Sequence, residues 1–168
     1  MCVTVMQAFS VSYTFGQRFQ VPAREAFDWA TDYQPSDLAL MGEDGKRTIQ
    51  KVTEDTIVLK EDITHADRRI SKVKLVRLNP RALSWHNIHI RGPNKYSEFI
   101  YEITPEGKAR SRLTFTGLLV LYSKDRLSSR KLKQIAAREK EYDSRAWKRL
   151  AKAMTKEYQR KTKRNLDL

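Results

Sequence analysis

From Ser128 to Arg164 the chain contains neither Gly nor Pro, and this stretch follows a region that reads mostly as strand. Tyr142, Ala146, Leu150 and Ala153 recur at spacings of four, four and three, with Trp147, Met154 and Tyr158 beside them. That is the period of a helix with one broad apolar face. Such a face must be covered, and the apolar surface on offer is the sheet that the preceding residues predict. The helix is therefore expected to close over the sheet. Large aromatic side chains pointing from sheet to helix would make the space between them either a filled core or a pocket, and both readings stand on residues alone.

Composition sets the scale. The 168 residues, 40% hydrophobic and 10% aromatic, suffice for one core of ordinary size, so 1–168 is expected to form a single domain, its basic end from about 160 to 168 prone to fray. No segment approaches the roughly 18 consecutive apolar residues of a membrane span, and Met1 to Phe9 has no basic leader. A soluble cytoplasmic protein is expected. Cys2, the single cysteine, cannot form an intrachain disulfide, which agrees with a reducing compartment. His65, His86 and His89 supply no zinc-ligand spacing, and no metal or other cofactor is expected. On a strand, His86 and His89 point to opposite faces.

Net charge is +13, and it is concentrated. Residues 1–122 hold 17 Lys and Arg against 14 Asp and Glu, whereas residues 123–168 hold 16 against 6. The C-terminal helix is thus the basic element. Its exposed face is either a solvated surface that keeps the protein soluble or, through Arg145, Lys148, Arg149, Lys152 and Lys156, a contact for an acidic partner such as RNA, a ribosome or an anionic membrane. The chain shows no recognisable nucleic-acid motif.

Val11, Tyr13, Phe15, Phe19 and Val21 alternate with polar residues and predict a first strand ending at Pro22. A helix over Ala23 to Ala30 follows, with Ala26, Phe27 and Ala30 inward, then a short second helix through Leu40 and Met41 halted near Gly42 and Gly45. From Lys46 to Tyr122 strand patterns are separated by Glu54-Asp55, Asn79-Pro80, Gly92-Pro93-Asn94 and Pro105-Glu106-Gly107. These short connections imply an antiparallel meander. Pairing Glu102 with Arg110 across the last hairpin places Phe99, Tyr101, Ile103, Leu113, Phe115 and Leu119 on the concave side. The same parity carries Leu83, Trp85, Asn87 and His89 there; a one-residue change in loop length would substitute Ser84, His86, Ile88 and Ile90.

This order of elements resembles the helix-grip fold of the START, Bet v 1 and polyketide cyclase (SRPBCC) superfamily. The resemblance is carried by Val21-Pro22-Ala23-Arg24-Glu25-Ala26-Phe27-Asp28-Trp29, by Thr31-Asp32-Tyr33, and by the turns at Asn79-Pro80 and Pro105-Glu106-Gly107. It implies an α+β fold in which a curved antiparallel sheet of six to seven strands and two short helices wrap one long C-terminal helix. It also implies a hydrophobic cavity for a lipid, quinone, polyketide or isoprenoid-like ligand.

Tyr13, Phe15, Trp85, Phe99, Tyr101, Phe115, Trp147, Leu150 and Met154 would line such a cavity, and Asn87, His89 or Tyr101 would orient the guest. The alternative is that the same side chains interdigitate into solid core. Catalysis has less support: His89 or His86 is the best acid or base by residue type, and Glu61 and Asp62, adjacent on a strand, diverge. No catalytic residue is assigned. A binding or carrier protein is the first expectation, a basic interaction module the second, and a cyclase or dehydratase the third.

Overall fold

The computed structural model describes residues 6–65 and 68–166, so Cys2 lies outside the described residues. Strand β1 (Gln7–Phe19) buries Val11, Tyr13 and Phe19 and exposes Ser12, Thr14 and Arg18 between them. Pro22 caps α1 (Ala23–Ala30), which turns Ala23, Ala26 and Phe27 inward. The Thr31 hydroxyl ends that helix by donating to the Phe27 carbonyl at 2.8 Å. Helix α2 (Asp37–Met41) stops at Gly42, whose φ of +83° is the left-handed cap conformation that glycine adopts without steric cost.

The meander then runs β2 (Asp44–Lys51), β3 (Thr56–His65), β4 (Arg68–Asn79), β5 (Ser84–Arg91), β6 (Glu98–Pro105) and β7 (Ser111–Ser123). All pairings are antiparallel, in the order β1-β7-β6-β5-β4-β3-β2. Helices α1 and α2 carry the chain from one edge of the sheet to the other. Helix α3 (Ser129–Leu166) packs on β1 and α2 and buries Ala146, Trp147, Leu150, Ala151 and Met154. It continues to Leu166.

The last hairpin differs from its expected register. Glu102 pairs with Thr114, not Arg110, and Thr104 with Arg112. Arg110 lies in the turn, where its carbonyl accepts from the Glu106 N–H, and the Glu106 carboxylate pairs with Arg112 at 2.7 Å and Arg18 at 3.1 Å. The charge pair that governs this turn is thus Glu106 with two arginines. The displacement is an even number of residues, so side-chain parity survives: Ile103, Leu113, Phe115 and Leu119 are buried. On β5 the inward set is Trp85, Asn87 and His89, each under 10% exposed.

Candidate functional site

The concave face is solid at one end and hollow at the other. At the solid end Trp147 of α3 meets Phe19, Trp85 and Tyr101 with ring centroids 6.1, 6.2 and 5.8 Å apart, and Phe27 of α1 abuts Trp85 edge-on. Trp85 and Tyr101, opposite one another on β5 and β6, stack at 4.6 Å with parallel planes. Toward the other end the rings thin out around Phe115, which touches Tyr13, Phe99 and Tyr101. A cavity of about 160 Å³ opens there between sheet and helix. An engineered apolar cavity of roughly 150 Å³ holds benzene, so this space accommodates a guest of one ring or a compact fused pair.

Nine of the side chains expected around a ligand do line this cavity: Tyr13, Trp85, Asn87, His89 and Phe99, together with Tyr101, Phe115, Trp147 and Leu150. Two do not. Phe15 stacks on Phe115 from the side at 4.7 Å, and Met154, fully buried, lies against a separate cleft beside α1. His86, on the opposite face of β5, pairs with Glu98 at 3.2 Å and does not reach the cavity.

The cavity is more polar than the aromatic residues suggest. The Tyr13 hydroxyl donates to Asp143 Oδ2 at 2.6 Å. Burial pushes the Asp143 carboxyl up to about 6, with Glu139 adding to the rise while the Tyr13 bond and the Lys74 and Lys72 charges oppose it. Tyr13 itself is raised, first by burial and then by the Asp143 charge. A second chain runs from Tyr33, whose hydroxyl donates to Asn87 Oδ1 at 3.1 Å, through Asn87 Nδ2 to the Tyr101 oxygen at 3.4 Å. His89 is held down to about 3 by burial and by Lys74 and Lys72, so its imidazole is neutral at physiological pH.

Beside these lies a buried ion cluster. Glu61, inaccessible to solvent, receives Arg47 at 2.8 Å and Lys74 at 2.6 Å, and Arg47 also reaches Asp37 at 3.6 Å. Burial alone would raise the Glu61 carboxyl, but Lys74 and Arg47 outweigh it and hold it near 2.

Sequence reasoning passed over Asp143, Tyr33, Arg47, Lys72 and Lys74. A signal existed for some of them. Asp143 interrupts the inward stripe three and four residues before Ala146 and Trp147. Glu61 sits between Leu59 and Ile63 in the buried row of β3, so a carboxylate there demands an inward cation.

Tyr13 is placed by Gly117, its partner on β7: a Cβ at Gly117 would come within 2.8 Å of the Tyr13 ring. Tyr13→Phe is expected to raise the Asp143 carboxyl above its present value of about 6, because a bond that stabilises the charged form disappears. Carboxyl-carbon NMR titration checks this, and a value at or below the wild type would show that the bond does not set Asp143.

The cationic residues expected to meet an acidic partner are exposed along α3, with Arg145 paired to Glu141 at 3.4 Å. Arg149 is engaged within the fold: its Nε donates to the Leu40 carbonyl at 2.8 Å and its Nη2 to that of Met41, stitching α3 to the end of α2.

Neither a protein-family model nor a curated protein matches this sequence. Solved structures do. An aromatase/cyclase from Streptomyces sp. R1128 superposes with a TM-score of 0.68 at 11% identity, covering 88% of this chain and 94% of its own. A START superfamily protein from Mycobacterium smegmatis gives 0.66 at 16%, with coverages of 87% and 99%. Norcoclaurine synthase from Thalictrum flavum, solved with dopamine and hydroxybenzaldehyde, gives 0.65 at 10%, with coverages of 89% and 88%. The architecture is the helix-grip fold that these solved structures share.

Proposed function

We propose that this protein binds a small aromatic molecule of one or two rings carrying a hydroxyl or carbonyl oxygen, held between the sheet and α3. One observation carries the reading: the cavity of about 160 Å³ has aromatic walls from Trp85, Phe99, Tyr101 and Phe115, and polar groups of Tyr13, Asn87 and Asp143 converge on it. Aromatic walls favour a flat apolar guest, and the few polar groups reward a guest that presents an oxygen to them. The size argues against a long lipid or isoprenoid chain filling this space. That a protein of the same fold was solved with two single-ring molecules supports the same scale.

All three tryptophans, Trp29, Trp85 and Trp147, border the cavity, so intrinsic fluorescence reports its occupancy directly. Titration with 2-naphthol is expected to change the tryptophan emission saturably. Ala146→Leu adds bulk to the α3 wall of the cavity and is expected to weaken binding at least about tenfold, on the order of 1.4 kcal/mol. Calorimetric titration of both proteins checks this. Equal affinities would place the guest elsewhere, and no saturable response would end the reading.

A second use of the same site is acid or base catalysis of the cyclase or dehydratase kind. The favouring observation is Asp143: a carboxyl near 6, hydrogen-bonded to Tyr13 inside a cavity, sits where proton transfer near neutral pH is effective.

A further inference from the structure

Adjacent strands β2, β3 and β4 bring three cations, Arg47, Lys72 and Lys74, around one carboxylate, Glu61. Glu61 lies directly opposite Lys72 in the β3–β4 register, yet its two oxygens are taken by Arg47 and Lys74. Lys72 has no salt bridge and no side-chain hydrogen bond among the described residues, although it borders the cavity. Two backbone features hold it there. The ladder between β4 and β5 shifts register at Val73/Lys74, the kind of irregularity that re-aims neighbouring side chains. Gly92, at φ +116°, lays the β5–β6 loop against it: a Cβ there would meet the Ser71 carbonyl at 2.9 Å and the Lys72 Cα and Cγ at 3.3 Å. The stem of Lys72 is clamped while its amine has no partner among the described residues.

We infer that Lys72 is a reactive amine that forms an imine with an aromatic aldehyde or ketone seated in the cavity; the inference rests on the reading of that cavity as a binding site. The groups facing it are Lys74 and Glu61 from the sheet, Glu43 from the segment after α2, neutral His89 from β5, and Glu139 and Asp143 from α3. Glu43, Glu61 and Asp143 favour the ammonium, but burial and the Lys74 charge prevail and push the Lys72 amine below the usual lysine range. A partly desolvated lysine is the form of this side chain suited to covalent work on carbonyls.

In the step itself, the neutral amine of Lys72 attacks the carbonyl carbon and forms a C–N bond while the C=O electron pair moves to oxygen. The oxygen takes a proton and the nitrogen loses one, giving a carbinolamine. A second proton on that oxygen lets it leave as water, the nitrogen lone pair closes the C=N bond, and the resulting iminium nitrogen gives up its remaining proton. Amine and carbonyl become imine and water, with no change in oxidation level. Asp143, whose carboxyl is near 6 and which borders the same cavity, is suited to give and take these protons.

The test uses the full chain, benzaldehyde and sodium cyanoborohydride at pH 7, with peptide mapping by mass spectrometry. Exposed lysines, ordinarily near 10.4, hold only about one amine in 2,500 neutral at that pH, so surface labelling is slow. The expected result is one N-benzyl group on Lys72, appearing at least about tenfold faster than on any exposed lysine. In Lys72→Arg, with its circular dichroism unchanged, that fast adduct is expected to vanish.

Labelling spread evenly over surface lysines, or undiminished total labelling in the variant, would overturn the inference. Mapping on the wild type decides the matter even if the variant does not fold. If the wild type binds 2-naphthol but Lys72 stays unlabelled, the imine inference falls alone; if neither occurs, the cavity reading falls with it.

Discussion

Glu61→Gln is expected to lower the unfolding free energy by about 3–5 kcal/mol, the range found when one partner of a buried ion pair is removed. The amide fills the same space but leaves Arg47 and Lys74 facing a neutral group, with side chains only 4% and 14% exposed. Water screens them little there, so Lys74 loses its one acidic partner among the described residues and Arg47 keeps only the longer contact to Asp37 at 3.6 Å. A urea melt monitored by tryptophan emission checks this through the shift in midpoint. The double variant Glu61→Gln/Lys74→Met is expected to recover part of the loss, since one stranded cation is gone. A single-variant loss below about 1 kcal/mol would show that the cluster behaves like a surface pair.

The same cluster sets the pH dependence. Glu61 is held near 2, below its unfolded value of about 4.3, so it contributes stability that is complete above the unfolded value and fades as pH falls from about 4 through 2. Asp143 and Asp37 act in the opposite sense. Both carboxyls are pushed up to about 6, each principally by burial, so the stability tied to their protonated forms is complete below about 3.9 and is lost as pH rises through 6. For the buried Glu61 and Asp143 each shift is worth on the order of 2–3 kcal/mol, whereas solvent screening leaves less at the more accessible Asp37. His89, held down to about 3 from an ordinary value near 6.5, adds to the Glu61 trend by losing stability as pH falls through that range, and with the two carboxyls opposing it maximum stability is expected near pH 4–5. A stability curve that climbs steadily from pH 5 to 7 would contradict this assignment.

Phe115→Ala is the second large effect, expected to cost about 3–5 kcal/mol. Phe115 is 2% exposed and is the ring around which the concave wall is organised, with Phe15, Tyr101, Tyr13 and Phe99 centred 4.7, 5.0, 5.9 and 5.9 Å away. Truncation removes its contacts with all four at once and joins the void to the existing cavity, which the rigid flanking strands cannot collapse to fill. For a chain of this size the melting temperature should fall by roughly 10–15 °C. Ile100→Ala on the outer face of β6, where the residue is 42% exposed, provides the contrast and should stay within about 0.5 kcal/mol. Comparable losses at the two positions would mean that the inner face does not carry the core.

Much of this architecture was legible because it depends on periodicity. The alternation in β1, the apolar stripe from Tyr142 to Tyr158 and the turn residues each constrain only their own neighbourhood. The Glu102–Arg110 pairing was out of place by an even number of residues, which moves partners along the strands without turning any side chain over. Phe99, Tyr101 and Phe115 therefore came out on the correct face from a wrong hairpin. Phe15 shows the limit of the same logic, since parity gives a face and not a depth: it lies on the edge strand beside Phe115 and misses the cavity.

By itself, then, the chain determined which residues share a face, that a long amphipathic helix closes over an antiparallel sheet, and that positive charge gathers on that helix. These follow from local periods and turn chemistry, which neighbouring residues encode. Only the tertiary structure decided that the interior is part core and part cavity, that Asp143 meets Tyr13 across 130 positions of chain, and that Glu61 chooses Arg47 and Lys74 over Lys72, its direct cross-strand neighbour. Those outcomes depend on how far apart sheet and helix settle and on competition among charges for one carboxylate, and neither distance nor competition is written in any local pattern.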